Sequence, residues 1–335
     1  MRKSHPSRQK GCTLGTLRDK YFSKLIGDQV EQRSIGNLKV SVVGIGCNNF
    51  GGRLDAAGTD AVVNSAIDAG INFFDTADVY GETRSELLLG KAVGARRDQV
   101  IIASKFGLPI DDKKFGAHPD YIRSACEDSL KRLGSDHIDL YQLHAPDASV
   151  PLEDSIAAMQ QLQDEGKVIE IGCSNFNAGQ LHDAATKVGS GSPFRSVQNQ
   201  YSLLWREAED AVLGACGELS MGLLPYYPLA NGLLTGKIKP GEALPEGTRL
   251  ALMDDSRSAH WLSEEMMTKV QGIITFAEEI SVPVLELAFA WLLSHPAVSS
   301  VIAGASSPSQ VEANAKAGGR KLSPEIVARL NAITA

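Results

Sequence analysis

From about Val40 onward, short aliphatic or β-branched runs alternate with longer segments whose apolar residues recur at helical spacing. The runs are VSVVGIG, NFF, VIIASK, IDLYQLH, VIEIGCS, SVQ, MGLLPY and SVIAGAS. Between them lie AVVNSAIDAG, SELLLGKAV, YIRSACEDSLKRLG, EDSIAAMQQLQDEG and AEDAVLGACGELS, among others. Short apolar runs suit strands, and longer amphipathic segments suit helices with one buried face. In YIRSACEDSLKRLG, Ile122, Ala125, Leu130 and Leu133 fall at helical spacing, and Gly134 is placed to end the helix. Strands separated by helices pair in parallel through crossover connections. Eight such runs predict a closed (β/α)₈ barrel rather than an open sheet. Ahead of the first, RSIGNLKVS predicts a hairpin turning at Gly36-Asn37 that would floor the barrel. After the seventh, the stretch from Ala230 to about Trp261 is irregular and rich in Gly, Pro and Lys. Loops of that length are usually functional.

The runs end on chemistry. NFF stops at Asp75, VIIAS at Lys105, IDLYQL at His144, VIEIGC at Ser174-Asn175, SV at Gln198-Asn199 and MGLLP at Tyr226. In a barrel the C-terminal strand ends meet at one face, so Asp75, Lys105, His144 and Tyr80 (one loop beyond Asp75) would converge. Taken singly each has a plain reading: Lys105 as a surface lysine, His144 as a turn histidine, Asp75 as a helix cap, Tyr80 as packing. Taken together they form a proton-transfer device. A buried ammonium beside a phenol favours phenolate and would bring the tyrosine down toward working pH. An aspartate paired with the lysine keeps it charged and in place, and a histidine opposite can hold a substrate oxygen.

Composition narrows the partners. A net charge of −7 argues against nucleic acid or an anionic membrane, and no apolar run is long enough to span a bilayer. The 5 cysteines, Cys12, Cys47, Cys126, Cys173 and Cys216, are scattered and form no C-x-x-C pair. A disulfide framework or metal site is therefore not expected, and a reducing, cytoplasmic setting fits. Residues 1–32 read as a basic extension, with Arg2, Lys3, Arg8, Lys10, Arg18, Lys20 and Lys24 and no apolar core of a secretory signal. Residues 33–335 read as one domain.

From about Gln32 to its end the chain resembles the aldo-keto reductase family. GINFFDTADVYG, with the later Ser-Glu and Leu-Gly, is similar to the family's second-strand signature; IIASK resembles its lysine motif and SLKRLGSDHIDLYQLHAPD its histidine motif. IGCSNF, QNQYSLL, PYYPLANGLLTGK and VIAGASSPSQVEAN resemble its cofactor motifs. The resemblance implies an oxidoreductase that moves a hydride between NADP(H), with NAD(H) as the alternative, and a small carbonyl or alcohol. It makes Tyr80 the acid/base, Lys105 its partner, Asp75 the lysine's partner and His144 the orienter of the carbonyl. Ser174, Asn175 and Gln198 would hydrogen-bond the nicotinamide carboxamide, and Tyr226 would stack on the ring. Tyr227, Pro228, Leu229, Ala230 and Asn231 would line the pyrophosphate, with Lys237 and Arg249 neutralising it. Gly304, Ser306, Gln310 and Asn314 would hold the adenosine end, and Gly46, Cys47 and Asn48, a pocket wall at the first strand end, would also bind the cofactor. Phe50, Phe106 and Trp205 would shape the substrate pocket. Many relatives carry an arginine where this chain has Gln310, so the NADP(H) preference rests on a neutral side chain. Two rivals stand beside this reading: a Schiff-base lyase using Lys105 as nucleophile, and a cofactor-sensing binding protein with slow turnover, like the family's channel-associated members.

Overall fold

The computed structural model describes residues 30–189 and 191–335. Of the basic extension, all but Val30, Glu31 and Gln32 lies outside the described residues, and Gln32 already opens the first strand. Strands β1 (Gln32–Ile35) and β2 (Leu38–Ser41) pair antiparallel with Ile35 opposite Leu38, so the hairpin turns at Gly36-Asn37 as expected.

Eight parallel strands follow: β3 (Val43–Gly46), β4 (Phe73–Asp75), β5 (Ile101–Phe106), β6 (Ile138–Leu143), β7 (Val168–Ser174), β8 (Ser196–Gln200), β9 (Gly222–Tyr226) and β10 (Val301–Gly304). They lie side by side in chain order, with β10 against β3. The ring closes just ahead of β10. There the Leu223 N–H donates to the Ala297 carbonyl at 2.7 Å, and the Ser299 N–H donates to the Leu223 carbonyl at 2.9 Å. The chain is thus a (β/α)₈ barrel with an N-terminal hairpin. Helices on its outside include α1 (Ala56–Asp68), α2 (Arg84–Val93), α3 (Pro119–Leu133), α4 (Leu152–Asp164), α5 (Ala178–Val188) and α6 (Val212–Glu218). The long connection after β9 runs irregularly to a short helix, α7 (Asp255–Ser258), before α8 (Glu264–Glu279) and α9 (Val284–Leu293); α10 (Pro308–Gly318) and α11 (Pro324–Thr334) end the chain. Gly134 ends α3 in the left-handed conformation, as its position foretold.

The pleat sorts the barrel into layers. Side chains two residues apart on a strand share a face. Phe73, Ala103, Leu140, Leu224 and Ile302 point inward and meet Ile35, Leu38 and Val40 of the hairpin in one apolar cluster. The hairpin therefore does plug the barrel floor, and Asn37 anchors it through its main-chain N–H and side-chain amide to buried Glu170 at 2.8 and 2.9 Å. One step of two residues up from Phe73, Ala103 and Leu140 stand Asp75, Lys105 and Gln142, all buried. The alternate residues, among them Phe74, Ile102, Phe106, Tyr141 and Val197, join the core between strands and helices.

Gly90 sits where α2 crosses α3, and a Cβ there would fall on the backbone carbonyl of Leu133. Replacing an interior helical glycine with alanine ordinarily stabilises by about 1 kcal/mol. Here the added methyl meets main chain, so Gly90→Ala is expected to lower the unfolding free energy by about 1–3 kcal/mol, the usual cost of overpacking. A denaturant titration checks this, and a more stable variant would show that the two helices part freely.

Candidate active site

Lys105 is wholly buried near the C-terminal end of β5. Its Nζ donates to Asp75 Oδ2 at 2.7 Å, to the Thr76 carbonyl at 2.8 Å and to the Tyr80 hydroxyl at 3.3 Å, which uses all three of its protons. Asp75 Oδ1 accepts from Gln198 Nε2 at 2.8 Å and from Gln142 Nε2 at 3.4 Å. The plain reading of Asp75 as a helix cap fails, because Thr83 occupies that position for α2. Tyr80 is held by a tight turn in which Gly81, Glu82 and Thr83 are all left-handed, with φ of 57°, 56° and 69°. Gly81 also packs backbone to backbone on Phe50, leaving no room for a Cβ. His144 stands edge-on to Tyr80 with ring centroids 5.7 Å apart. Asn175, at φ 62°, donates to the His144 carbonyl at 2.9 Å and accepts from the Tyr226 hydroxyl at 2.8 Å, while Ser174 Oγ donates to the Gln198 carbonyl at 2.8 Å. The six strand ends singled out in the sequence thus form one bonded web.

The charges settle by competition. Burial is the largest influence on Lys105 and favours its neutral form, but Asp75 and Tyr80 outweigh it and hold the lysine above its ordinary value. A charged lysine with every proton committed is a poor nucleophile, which removes the support for a Schiff-base role. For Tyr80 the outcome is opposite to the sequence expectation. Burial dominates and raises the phenol above its ordinary value, with Lys105 only partly offsetting it. The tyrosine therefore remains a protonated donor through neutral pH. Burial, and then the Lys105 charge, push His144 down to about 3, so its imidazole is neutral. Its Nδ1 is buried without a partner, which leaves Nε2 as the nitrogen available to a ligand.

Asp75, Tyr80 and His144 line a cavity of about 800 Å³ whose walls also include Ser174, Asn175, Gln198 and Tyr226. Tyr227, Pro228, Leu229, Asn231, Lys237 and Arg249 continue it, and Gly46, Asn48, Gly304, Ser306 and Gln310 complete the wall. The donor set suits a dinucleotide. Amides stand near the tyrosine, and the cations Arg53, Lys237 and Arg249 stand in the wall. The N-terminus of α10, capped by Ser307, lies beside Ser306, where a phosphate is favoured. Asn231 Oδ1 is buried with no partner in the same wall. Among the described residues, eight non-glycine positions have left-handed φ, and Glu82, Thr83, Asn175, Tyr227, Ala230 and Asn231 follow the strand ends that build this face. Such strain is typical of functional loops.

Several expected contacts are corrected. Phe106 follows Lys105 directly, so the pleat turns it away from the barrel interior to stack on Tyr141 at 4.7 Å, and Phe50 is likewise wholly buried in the outer core. Trp205 does not line the cavity. It packs against His260 and Trp261, at 5.6 and 6.0 Å, where it pins the end of the long loop. Cys47 is fully buried with Sγ toward the Ile45 carbonyl, and burial raises its thiol well above the ordinary value. Ala230 and Asn314 are buried beneath the wall, outside its lining. Conversely, Arg53 went unrecognised. It lines the cavity and its Nη2 donates to the Gly247 carbonyl at 2.6 Å, joining the loop after β3 to the long loop. The signal was there, in an arginine within the glycine-rich GGRL after the first barrel strand.

A model described as the aldo/keto reductase family matches residues 42–335. The chain belongs to that family. It is 35% identical over 306 residues to aldo-keto reductase YhdN of Bacillus subtilis (strain 168), covering 88% of this chain and 90% of that one. It is 36% identical over 291 residues to a probable voltage-gated potassium channel subunit beta of Arabidopsis thaliana, covering 84% and 88%. Among solved structures it is similar to the holo form of aldo-keto reductase AKR11C1 from Bacillus halodurans, with a TM-score of 0.77, 29% identity and coverage of 92% and 98%. This aldo/keto reductase is accordingly an oxidoreductase by family, a family that generally uses NAD(P)H and small carbonyl substrates. Among its described residues, no helix is long and apolar enough to cross a membrane.

Removing Asp75's charge should expose the cost of the buried ammonium. Asp75→Asn is expected to destabilise the fold by about 3–5 kcal/mol at neutral pH, as when one partner of a buried pair is lost. Lys105 would then release its proton more readily folded than unfolded, so the unfolded state binds more protons and stability rises with pH. Unfolding titrations at neutral and alkaline pH should show the variant regaining part of its deficit as pH rises; a constant deficit would mean that Lys105 is already neutral in the wild type.

Proposed function

We propose that this chain reduces aldehydes or ketones with NADPH, and oxidises the corresponding alcohols in reverse, with Tyr80 as general acid/base. The observation that carries this is the Lys105 ammonium bonded to the Tyr80 hydroxyl, beside a neutral His144, in the wall of a cavity suited to a dinucleotide. The reduced nicotinamide would supply the hydride. Tyr80 gives its proton to the carbonyl oxygen, and Lys105 stabilises the phenolate that remains. Asp75 keeps Lys105 charged and fixed. His144 Nε2 donates to the same oxygen, so charge developing there meets two preorganised donors.

The remaining roles fall to groups in the cavity wall. Ser174, Asn175 and Gln198 take the carboxamide; since Gln198 Nε2 is committed to Asp75, its side-chain oxygen is the group it offers. Tyr226 stacks on the ring. Lys237, Arg249 and Arg53 take the pyrophosphate beside Pro228, Leu229 and Asn231. At the adenosine end Gln310 Oε1 already accepts from the Ser306 N–H at 2.9 Å and from Ser306 Oγ at 3.2 Å, which leaves Nε2 for the 2′-phosphate. A second reading, a cofactor-sensing subunit with slow turnover, is favoured by the similarity to plant channel subunits. Steady-state turnover on simple aldehydes separates the two.

Cofactor preference should favour NADPH by a modest margin. A neutral hydrogen bond contributes about 1 kcal/mol and one to a charged group about 1.5–3. Gln310→Arg should tighten NADPH and leave NADH nearly unchanged in fluorescence titrations; equal tightening of both would remove the 2′-phosphate from this position.

Tyr80→Phe keeps the ring and removes only the hydroxyl. Cofactor affinity should hold while reduction of an unactivated carbonyl falls by about 10²–10⁴, the usual contribution of a placed acid/base. Lys105→Met should cost comparably, and the double mutant no more than the larger single loss, because the two act as one unit. Full activity in Tyr80→Phe with cofactor binding confirmed would overturn the mechanism.

A further inference from the structure

The Asp-Thr-Ala-Asp-Val-Tyr segment carries a second acid, Asp78, for which the chemistry above has no use. Its side chain is wholly buried. Oδ2 lies 3.4 Å from the Tyr121 hydroxyl of α3, and Oδ1 has no partner. Glu86 of α2, wholly buried in the same cluster, takes Ser104 Oγ at 2.5 Å and Arg132 Nε at 2.6 Å. The groups that face Asp78 are Glu86 from α2, Tyr121 and Arg132 from α3, and Tyr141 from β6, with Asp111 acting on Tyr121 from the loop after β5 and Cys126 of α3 on Tyr141. Two acids thus share one arginine, and the arginine is bonded to Glu86. Lys105 gives its ammonium to the barrel interior and meets Asp78 through main chain alone.

That main-chain link matters. The Asp78 N–H donates to the Lys105 carbonyl at 3.0 Å, and the Thr76 N–H donates to the Ala103 carbonyl at 2.8 Å. These bonds lay the segment leading to Tyr80 along the strand that carries Lys105, and only Val79 separates Asp78 from Tyr80. We propose that Asp78 is a positioning residue, a neutral carboxylic acid that seats the Tyr80 segment on the Lys105 strand and loosens that seat when it ionises. A carboxylate with one oxygen unpartnered would sit unsolvated against Glu86, and moving the segment outward would relieve it. Burial first, and then the charge of Glu86, raise the acid from 3.8 to about 7, so the change falls near neutrality.

The proposal rests on Tyr80 as the proton donor, and its test reads Asp78 separately. Asp78 holds its proton more tightly folded than unfolded, so its contribution to stability falls as pH rises from 3.8 to about 7 and is then flat. Asp78→Asn copies the neutral acid and removes that slope. Its melting temperature relative to wild type should be higher at about pH 8 than at about pH 5. In turnover, wild-type kcat should fall as pH rises through about 7 with KM little changed, and Asp78→Asn should lose that step while Asp78→Ala lowers kcat throughout. If the asparagine variant does not fold, the wild-type infrared band of a protonated carboxyl should disappear over the same range. A melting-temperature difference independent of pH, or a wild type without that band at neutral pH, would overturn the assignment. Neither readout needs turnover, so an inactive protein would count against the proposed reaction and leave the state of Asp78 still decided.

Discussion

Everything at the C-terminal face is arranged around one charge that water cannot reach, the ammonium of Lys105. Desolvating an ion in a protein core costs several kcal/mol, and the cost is met only by well-placed partners that are themselves satisfied. Lys105 has a carboxylate, a main-chain carbonyl and a phenol. The carboxylate in turn needs donors for its other oxygen, which come from Gln198 and Gln142 on two further strands. Satisfying a single lysine thus binds β4, β5, β6 and β8 together. The same requirement fixes a tyrosine hydroxyl against a cation.

Much of this was legible in the chain because strand ends are easy to see. Eight apolar runs, six of them closing on a polar group, identify a parallel barrel and the face at which its chemistry collects. What the linear pattern left out was parity and balance. The resemblance puts Phe106 at the pocket, yet it neighbours inward-facing Lys105, and adjacency along a strand means opposite faces. Trp205 was assigned by analogy of position, and its partners, His260 and Trp261, lie more than fifty residues onward where no local rule connects them. The state of Tyr80 depends on whether burial or the ammonium dominates, a comparison of two large opposed influences that composition and spacing do not contain. The third partner of Lys105 is a backbone carbonyl, which no residue letter announces.

The loops carry a different kind of information. Tyr227 and Asn231 in the cavity wall, and buried Ala230 between them in the chain, hold left-handed backbone, a cost that persists only where the surrounding structure fixes it. Across the opening, the bond from Arg53 to the Gly247 carbonyl joins two loops that are 194 residues apart in the chain. The barrel wall and the long loop thereby form one enclosure, although only the wall is held by the strand ladder.

The floor has a consequence for traffic. With Ile35, Leu38 and Val40 packed into the lower barrel, the interior is a dead end beneath Lys105. A molecule that reaches Tyr80 must arrive and depart through the same mouth, and no product can drain past the lysine. The hairpin, remote from the cavity, adds its apolar side chains to a barrel interior that its own strands already fill.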